Sequence, residues 1–597
     1  MCGIVGYTGD REAQELLISS LERLEYRGYD SAGIAIVKEE IEIFKDKGNI
    51  AHLKEGMPRI PGTVGIAHTR WATHGAPMKN NSHPFRDCTG RFALVHNGII
   101  ENYQEIKDDL MKKGHRFSSE TDSEVIVHLI EELYREKGDT EAAVFSAARM
   151  LEGSYAILVI EKGSNRIFAI RNRSPLIIGL GDRENFLASD VPAVLEHTQS
   201  VIYLQDGDIA VVTPDAVTIT DHDGNSVERE PHEIEWTIED AEKGGYKHFM
   251  IKEIFEQPSA IQDSMRGRWV EPADRYNHRG LRSVKIVACG TSYHAGLTGK
   301  YILENLLKIP VTVEVASEYR YSPAVRENST VILITQSGET ADTIAAAVEA
   351  KRRGGRTIAI TNVVGSTITR EVDEVIYTQA GPEMGVAATK TFTTQLVALY
   401  QLALKYGVES GRLDYDDAKE MERELRLMPQ KARAVLDRHD EIKKVAEFLK
   451  DSEDMFFIGR NINYPSAMEG ALKMKEISYI HAEGYPAGEL KHGPLALLTA
   501  ETPVVAIACR DATFEKMLGN IREVGARESP IIALGFERDR KVLERYADRV
   551  IGVPETIPLL SPIPVAIALQ LLSYYTADMR GAEIDRPRNL AKSVTVE

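Results

Sequence analysis

Apolar residues in the first 240 positions alternate with polar ones or form short β-branched runs, which indicates strands. Amphipathic helices lie between these runs, because apolar residues recur at helical spacing from Ala13 to Leu24 and from Val125 to Leu133. Antiparallel strands with helices on their outer faces predict a layered α+β domain. The strand runs are residues 3–7, 32–37, 64–68, 92–96, 155–160, 167–170 and 176–180.

From about residue 280 the pattern changes to strand, turn and helix in repeated order, which is typical of a parallel sheet with helices on both faces. The pattern occurs twice with nearly the same spacing. We therefore predict two doubly wound α/β lobes that arose from one unit and are joined by a charged helical stretch. The predicted division is a first domain at 1–240, a linker at 241–249, lobes at 277–416 and 445–587, and a tail at 588–597.

Composition narrows the class of protein. Of 597 residues, 43% are hydrophobic and 27% are charged, as in globular proteins, and no apolar run reaches the roughly 18 residues of a membrane span. The best candidate, residues 563–572, is too short and contains Pro564 and Gln570. No secretory segment or basic cluster is present and the net charge is −18, so we expect a cytoplasmic protein that binds neither membrane nor nucleic acid.

The four cysteines, Cys2, Cys88, Cys289 and Cys509, are too scattered for a zinc knuckle or a disulfide framework. We therefore expect a reducing compartment and no structural metal. Neither a Walker motif nor a GxGxxG sequence follows a strand, which disfavours a nucleotide, and we expect no cofactor.

Candidate chemistry begins at Cys2. Removal of the initiator Met, which a small second residue permits, leaves a thiol and a free α-amine on one residue, and that amine can serve as the base. The alternative is a small buried Cys that opens the first strand.

Polar clusters at predicted strand ends favour the interpretation of Cys2 as a nucleophile, because functional sites are often built from the loops at strand ends. Arg70 is suited to clamp a carboxylate and Asp122 to take an ammonium group. Asn97 and the Gly98 N–H are suited to form an oxyanion hole. Taken singly, a solvated arginine or an Asn-Gly turn is the more ordinary interpretation. Together with Cys2 these residues form the set that an amidase needs.

Several motifs carry a resemblance to a known family: CGIVGY, LEYRGYDSAG, HTRWATHG, HNGIIEN and PRNLAKSVTVE. Residues 1 to about 240 resemble the class II glutamine amidotransferase domain of the N-terminal nucleophile type. The whole chain resembles the family of isomerizing glutamine:fructose-6-phosphate aminotransferases. The resemblance implies an αββα sandwich followed by two sugar isomerase (SIS) lobes. It implies Cys2 as nucleophile, Asn97 and Gly98 as oxyanion stabilisers, and glutamine contacts from Arg70, Trp71, Thr73, His74 and Asp122, with Trp71 as a gate.

Two loops follow neighbouring predicted strands and begin helices: Cys289-Gly290-Thr291-Ser292 and Gln336-Ser337-Gly338-Glu339-Thr340. Hydroxyls and N–H groups at a helix N-terminus suit a phosphate monoester, so the two loops predict a phosphate site. The alternative for either loop alone is ordinary N-capping. In a third loop the family usually reads Val-Ala-Ser-Thr-Lys, whereas this chain has Ala388 in place of the Ser and lacks that hydroxyl. The predicted sugar-phosphate residues are Thr291, Ser292, Thr335, Gln336, Ser337, Thr340, Val386 and Ala388.

Three charged residues, Glu469, Lys473 and Glu476, are spaced i, i+4 and i+7 on one predicted helix. On spacing alone, surface salt bridges are the more ordinary interpretation. The resemblance implies instead that Glu476 moves a proton between sugar C1 and C2, with support from the other two. It further implies that His492 of a neighbouring subunit assists ring opening and that Lys592 forms a Schiff base.

The resemblance implies two half-reactions in a homodimer: hydrolysis of glutamine to glutamate and ammonia, and conversion of fructose 6-phosphate to glucosamine 6-phosphate, the first step of hexosamine synthesis. Two alternatives stay open. Another class II amidotransferase would carry an acidic phosphoribosyl-diphosphate loop or an SGG-type pyrophosphate loop, and both are absent. A sugar-phosphate sensor without turnover would need neither Cys2 nor Glu476 and Lys592.

Overall fold

The computed structural model describes residues 2–25, 28, 30–71, 76, 78–234, 243–267, 283–322, 327 and 329–595. By internal contacts the chain divides into two compact units. The first unit holds residues 1–241 together with 591–597, and the second holds residues 242–590. The last residues of the chain therefore belong to the first unit.

The described part of the first unit contains the strands β1 (Gly3–Thr8), β2 (Ser31–Val37), β3 (Ile41–Lys47), β4 (Val64–Arg70), β5 (Phe85–Arg86), β6 (Phe92–Ile100), β7 (Gly153–Glu161), β8 (Ile167–Asn172), β9 (Ile177–Leu180), β10 (Asn185–Ala188), β11 (Ser200–Tyr203), β12 (Ile209–Val212), β13 (Val217–Thr220) and β14 (His232–Glu233). They form an eight-stranded sheet in the order β14-β11-β9-β10-β1-β4-β2-β3 and a six-stranded sheet in the order β13-β12-β8-β7-β6-β5. The pairings in both sheets are antiparallel.

Five helices cover the outer faces of these sheets: α1 (Ala13–Glu22), α2 (Ile50–Gly56), α3 (Tyr103–Lys112), α4 (Glu124–Lys137) and α5 (Thr140–Met150). Alternation along a strand decides which layer a side chain enters. On β1, Ile4 packs in the core between the two sheets, whereas Val5 and Tyr7 pack with Leu17 and Leu21 of α1. A third core lies between the six-stranded sheet and α3, α4 and α5. The αββα sandwich is thus confirmed.

The described part of the second unit contains the strands β15 (Val284–Ala288), β16 (Val311–Val315), β17 (Thr330–Ile334), β18 (Arg356–Thr361), β19 (Glu374–Tyr377), β20 (Asp454–Gly459), β21 (His481–Pro486), β22 (Val504–Ile507), β23 (Ile531–Phe536) and β24 (Arg549–Val553). They form two parallel sheets in the orders β16-β15-β17-β18-β19 and β21-β20-β22-β23-β24. The identical order confirms the two doubly wound lobes.

The helices described in this unit are α6 (Phe249–Phe255), α7 (Gln257–Ser264), α8 (Gly290–Leu307), α9 (Ala316–Tyr319), α10 (Ala341–Arg352), α11 (Ile368–Glu371), α12 (Lys390–Glu409), α13 (Tyr415–Arg426), α14 (Met428–Leu436), α15 (His439–Leu449), α16 (Asn463–Ser478), α17 (Phe514–Gly525), α18 (Arg540–Leu543) and α19 (Pro562–Met579). Helices α13, α14 and α15 form the predicted charged connection. One core joins residues of both lobes with α12 and α19.

Helix α19 corrects one expectation. The apolar run from residue 563 was expected to be too short to cross a membrane, but with the preceding turn the helical segment spans 22 residues, Pro558–Met579, and meets the length and composition of a membrane span. Of the 18-residue stretch of this segment that meets the test, 94% is buried inside the fold. A helix that is apolar all round and covered by protein is a core helix, so its burial explains its composition.

Candidate active site

Strand β1 places Cys2 beside β4, because the next residue, Gly3, pairs with Thr69. The Cys2 Sγ accepts a hydrogen bond from the Trp71 N–H at 3.3 Å and lies 3.5 Å from the Trp71 carbonyl oxygen. The Asn97 Nδ2 donates to the Cys2 carbonyl oxygen at 3.0 Å. The structure therefore brings together the predicted nucleophile and one predicted oxyanion residue.

Gly98, the second predicted oxyanion residue, has a backbone that admits only glycine. Its φ is +121°, and a Cβ atom at this position would lie 1.9 Å from the Ser154 carbonyl oxygen on β7. Strand pairing of Gly98 with Tyr155 brings the two backbones this close. The glycine thus follows from local packing, next to the Asn97 side chain.

Arg70 and Asp122 are both buried next to this position. Burial lowers the pKa of the Arg70 guanidinium, while the charges of Cys2, Asp122 and Asp30 act in the opposite direction. The Asp122 Oδ2 accepts the Ile100 N–H at 2.8 Å, which fixes this carboxylate at the end of β6. A buried cation and a buried anion flanking the thiol suit the two charged ends of an amino acid.

Two predicted glutamine contacts, Thr73 and His74, lie outside the described residues, as does Met1. Trp71 is described and contacts the thiol through its backbone. The part of the chain that the structure covers thus contains three of the five predicted glutamine residues.

Three buried histidines behind the site were missed from the sequence. The His68 and His83 rings stack with their centroids 4.0 Å apart, and the His68 Nε2 lies 3.0 Å from the His96 carbonyl oxygen. Burial, assisted by the nearby Arg70 charge, lowers the pKa of His68 to about 3, and burial lowers that of His83 well below its ordinary value. The His68 and His83 rings are neutral at pH 7 and support the backbone of β6, through hydrogen-bond contacts with the His96 carbonyl oxygen and N–H.

In the second unit, α8 of one lobe meets α16 of the other through a buried polar cluster. The Lys473 Nζ lies 2.5 Å from the Glu476 Oε2 and 3.5 Å from the Glu469 Oε1, and it donates to the Thr291 Oγ1 at 3.1 Å. The Thr291 hydroxyl in turn donates to the Glu469 Oε1 at 3.1 Å, and the His294 Nδ1 lies 2.8 Å from the Glu469 Oε2. The cluster therefore joins the two lobes.

Burial decides between the two interpretations of this spacing. The side chains of Lys473 and Glu469 are 1% and 2% exposed, so they do not form a surface ladder. Burial by itself would lower the pKa of Lys473, but the carboxylates of Glu476 and Glu469 outweigh it and raise the pKa. Glu476, at 20% exposed, is the member of the three that a substrate can reach.

The first predicted phosphate loop connects β17 to α10. The Thr335 Oγ1 accepts the Gly338 N–H and lies 3.2 Å from the Thr340 Oγ1, while the Ser337 Oγ accepts the Glu339 N–H. Gly338 has a φ of +69°, and a Cβ there would lie 2.0 Å from the Ser366 Oγ. Gln336 shares this loop, and its carbonyl oxygen accepts the Asn362 N–H.

The N-capping alternative for the two loops does not fit the structure. Thr340 is the N-cap of α10 and Cys289 that of α8, and neither side chain makes a capping hydrogen bond. The Ser292 Oγ accepts instead from the Gln395 Nε2 at 3.0 Å. The two helices begin at the carboxyl ends of β15 and β17, which are paired neighbours. Such an edge is where ligands bind in open α/β sheets.

The third loop, which precedes α12, is held by two buried glutamates that sequence reasoning missed. The Glu253 Oε1 accepts the backbone N–H groups of residues 384 and 385, and the Glu383 Oε1 accepts those of residues 389 and 391. Val386 is buried and the Val386 N–H donates to the Asp585 carbonyl oxygen at 3.2 Å. Ala388 is half-buried.

His294, Glu253 and Glu383 were not predicted from the sequence. Of these three, only His294 lies in a local pattern that indicates its position. It lies three residues after Thr291, so both side chains share one face of a helix. Glu253 acts across more than 130 positions of the chain, and no local pattern indicates such a contact.

The last two predicted residues are His492 and Lys592. His492 ends an exposed 3-10 helix, Glu489–His492, and no described hydrogen bond or ion pair joins it to Glu469, Lys473 or Glu476. Lys592 is half-buried in the segment that belongs to the first unit.

Known proteins of the same length are similar to this chain from end to end. It is 50% identical over 611 residues to the glutamine–fructose-6-phosphate aminotransferase (isomerizing) of Caldanaerobacter subterraneus subsp. tengcongensis, with both chains covered completely. It is 49% identical over 607 residues to the Thermus thermophilus protein of the same name, again with full coverage of both. The chain belongs to the isomerizing glutamine–fructose-6-phosphate aminotransferase family.

The domain content agrees with this family. A glutamine amidotransferase domain matches residues 68–196, and SIS domains match residues 280–405 and 448–580. The C-terminal domain of the glucosamine-fructose-6-phosphate aminotransferase from Francisella tularensis superimposes with a TM-score of 0.56 at 39% identity, covering 58% of this chain and 99% of that one. Membership in the aminotransferase family removes the alternative of a different class II amidotransferase.

Proposed function

We propose that this chain converts fructose 6-phosphate and glutamine to glucosamine 6-phosphate and glutamate. The observation that carries the proposal is the presence on one chain of two separate sites: a thiol flanked by a buried cation and anion, and a buried Glu–Lys–Glu cluster beside two hydroxyl-rich loops. Residues 1–240 would perform the glutamine half-reaction, and the lobes at 277–416 and 445–587 the sugar half-reaction. Full-length similarity to enzymes of this name supports the pairing.

In the first half-reaction Cys2 attacks the side-chain amide carbon of glutamine. The amide nitrogen leaves as ammonia, and water then hydrolyses the thioester to glutamate. Asn97 and the Gly98 N–H stabilise the oxyanion of each tetrahedral intermediate. Arg70 holds the α-carboxylate and Asp122 the α-ammonium group. Trp71, Thr73 and His74 complete the glutamine pocket.

In the second half-reaction the loops at residues 291–292, 335–340 and 386–388 hold the phosphate and sugar. The Lys592 amine condenses with the C2 ketone and releases water. Ammonia then attacks C2, the lysine leaves, and a sugar imine results. Glu476 takes a proton from C1 and returns it to C2, while the proton of the O1 hydroxyl passes to the imine nitrogen, and these two transfers convert the ketose imine to an amino aldose. Lys473 and Glu469 fix the Glu476 carboxylate.

The proposed active form is a homodimer, because His492 is exposed beside an exposed apolar residue. A second 3-10 helix, Pro494–Leu497, follows Gly493, and Leu497 is 62% exposed. An apolar side chain next to a polar catalytic candidate suits a subunit interface. All four cysteines are free thiols, which supports the assignment to the cytoplasm.

The test is a product assay on the purified chain with glutamine and fructose 6-phosphate, followed by identification of the amino sugar and of glutamate. Cys2→Ala protein should lose glutamate formation but retain part of the synthesis from added ammonia, because only the first half-reaction uses the thiol. Glutamate formation by pure Cys2→Ala protein would refute the nucleophile. Borohydride with fructose 6-phosphate should label Lys592, and a label on another lysine would exclude its role.

A further inference from the structure

Four metal-ligand side chains converge in the first unit, outside the glutamine site. They are Cys88, in the turn after β5; His115, just after α3; and His128 and Glu131, three residues apart on α4. One ligand atom from each residue lies within 4.8 Å of every other. The four residues lie up to 43 positions apart in the chain and form no spacing motif of a metal site, so they could not be predicted from the sequence.

Three of the six separations between these four ligand atoms are close to those around a tetrahedral ion. The Cys88 Sγ lies 3.6 Å from the His128 Nδ1, and the Glu131 Oε2 lies 3.2 Å from the His115 Nδ1 and 3.4 Å from the His128 Nδ1. Zinc bonds to sulfur, nitrogen and oxygen place tetrahedral ligands about 3.3 to 3.6 Å apart. Each of these three separations agrees with zinc to about 0.1 Å.

A carboxylate behind one of the two histidines orients its ring. The His115 Nε2 lies 3.1 Å from the Glu132 Oε2, whereas the His128 Nε2 lies 3.8 Å from the Glu124 Oε1, beyond hydrogen-bond reach. A proton on the His115 Nε2 therefore faces a carboxylate, which leaves the lone pair of the His115 Nδ1 directed into the cluster. This carboxylate–histidine arrangement is typical of metal sites.

The remaining atoms of the cluster are also prepared for a cation. The His115 Nδ1 is buried and has no hydrogen-bond partner among the described residues. The Cys88 Sγ accepts the Arg116 N–H at 3.5 Å, and the Cys88 N–H donates to the Glu131 Oε2 at 3.0 Å, so these two side chains are held in place. Two imidazoles, a thiol and a carboxylate oxygen that face one point can become the ligands of one cation, and the thiol then releases its proton. Cys88 is exposed, so an ion can enter from solvent.

We propose that Cys88, His115, His128 and Glu131 bind one Zn²⁺ ion. One sulfur, two nitrogens and one oxygen as ligands select zinc over calcium or magnesium. Four protein ligands fill the coordination sphere, so the site is structural and leaves no position for substrate. The ion joins the β5 turn, the end of α3 and α4, and α4 begins two residues after Asp122 of the glutamine site.

The experiment measures metal binding by the full-length chain in a Cys2→Ala background, because an N-terminal thiol and amine are themselves a chelator. EDTA-treated protein is titrated with Zn²⁺ and, separately, with Co²⁺. We expect about one Zn²⁺ per chain, and a thiolate-to-cobalt charge-transfer band with intense visible bands of a tetrahedral ion. Zinc should also raise the thermal unfolding midpoint of the EDTA-treated protein.

Variants identify the ligands. Cys88→Ser should abolish the charge-transfer band and weaken zinc binding by more than the roughly 10- to 100-fold expected for Glu132→Gln, which removes only the partner of His115. Because Cys88 is exposed, its replacement leaves the core intact. His222→Ala, at an exposed histidine of the same unit, is the matched control and should bind zinc as the parent does. The absence of stoichiometric zinc, or zinc binding unaffected by Cys88→Ser, would overturn the proposal, and neither result bears on the proposed reaction.

Discussion

At the scale of single residues, the buried position of Lys473 between two carboxylates has the largest expected effect. Its ammonium group is removed from water and is compensated by Glu469, Glu476 and the Thr291 hydroxyl. A buried ion pair of this kind contributes little by itself, but removal of one partner leaves the other charge uncompensated. The cluster therefore tolerates no single neutral replacement at its centre.

Lys473→Met should destabilise the second unit by about 3–5 kcal/mol and abolish the synthase reaction, because two buried carboxylates then face each other without a cation. Lys475→Met is the matched control, since Lys475 is exposed two residues further along α16. The control should change the free energy of unfolding by less than about 0.5 kcal/mol. Denaturant unfolding and product assays measure both effects. Equal losses in the two variants would contradict the buried cluster.

His68 predicts a pH dependence of stability. In the folded chain its pKa is about 3, whereas an unfolded histidine has an ordinary value of about 6.5. Between these values the unfolded state binds more protons, so the free energy of unfolding falls on acidification by up to about 1.4 kcal/mol per pH unit. The contribution is fully present above pH 6.5 and is lost progressively toward pH 3.

His68→Gln keeps a side-chain donor but cannot titrate, so calorimetry of the variant should show a smaller decrease of the unfolding midpoint between pH 7 and pH 4.5 than wild type. His222→Gln, at an exposed histidine, should follow wild type. Parallel pH curves for wild type and His68→Gln would show that His68 is not the titrating group.

At the scale of elements, the loop between β17 and α10 depends on one glycine. Gly338 combines a positive φ with a contact that a Cβ would violate at the Ser366 Oγ. Any side chain would therefore shift either the loop or Ser366, and the loop carries Thr335, Ser337 and Thr340.

Gly338→Ala should raise the KM for fructose 6-phosphate at least several-fold, because the hydroxyls of the loop move. Gly354→Ala is a matched control: its φ is +86°, but a Cβ there meets no atom within 4 Å. The control carries only the conformational cost of about 1–2 kcal/mol and should leave the KM unchanged. A KM raised equally in both variants would assign the effect to general destabilisation.

Most elements could be predicted from the sequence because they carry a local pattern. The predicted amphipathic stripe of α1 is buried at Leu17 and Leu21, and the runs that became β15 and β17 are apolar except at Lys285 and Thr330. The edge strand β21, His481–Pro486, was missed because its Gly and Pro are typical of a turn, and it becomes a strand by pairing with β20.

The residues of the candidate site also fall into those that a local sequence pattern indicates and those that it does not. Thr335 and Ser337 could be found because hydroxyls and glycine cluster directly after a strand. Glu253 could not, because it acts on a backbone that only the tertiary fold brings near. Glu383 acts within its own loop, on N–H groups six and eight positions further along, and its spacing matches no helix or strand period. The burial of Lys473 was equally hidden, since spacing on a helix does not reveal what covers that face.

At the scale of the whole molecule, the exposure of His492 predicts how subunits cooperate. If His492 acts on the sugar site of the neighbouring subunit, a His492→Ala chain and a Glu476→Ala chain are each inactive alone but complement each other. One of the two sites in such a heterodimer contains both native residues. An equal mixture should recover about a quarter of the wild-type activity, since half the dimers are mixed and each has one native site.

The measurement requires subunit exchange shown by tagged copies, followed by the synthase assay. A Lys475→Met chain mixed with the Glu476→Ala chain serves as the reference, because it supplies intact His492 and intact Glu476 on the same subunit. Heterodimers of the two inactive chains that remain without activity would place His492 in the site of its own subunit.

Helix α19 has a consequence for the synthesis of this protein. It lies near the end of the chain, yet it packs against α6, α14, α15 and α16, which are translated earlier. Until the ribosome has released residue 579, the faces of those helices have no partner, so the second unit can complete its core only at the end of translation. Chains terminated before Pro562 should therefore be insoluble. A nonsense mutation at this position is expected to prevent the folding of both lobes, although it removes only the last helix and the tail.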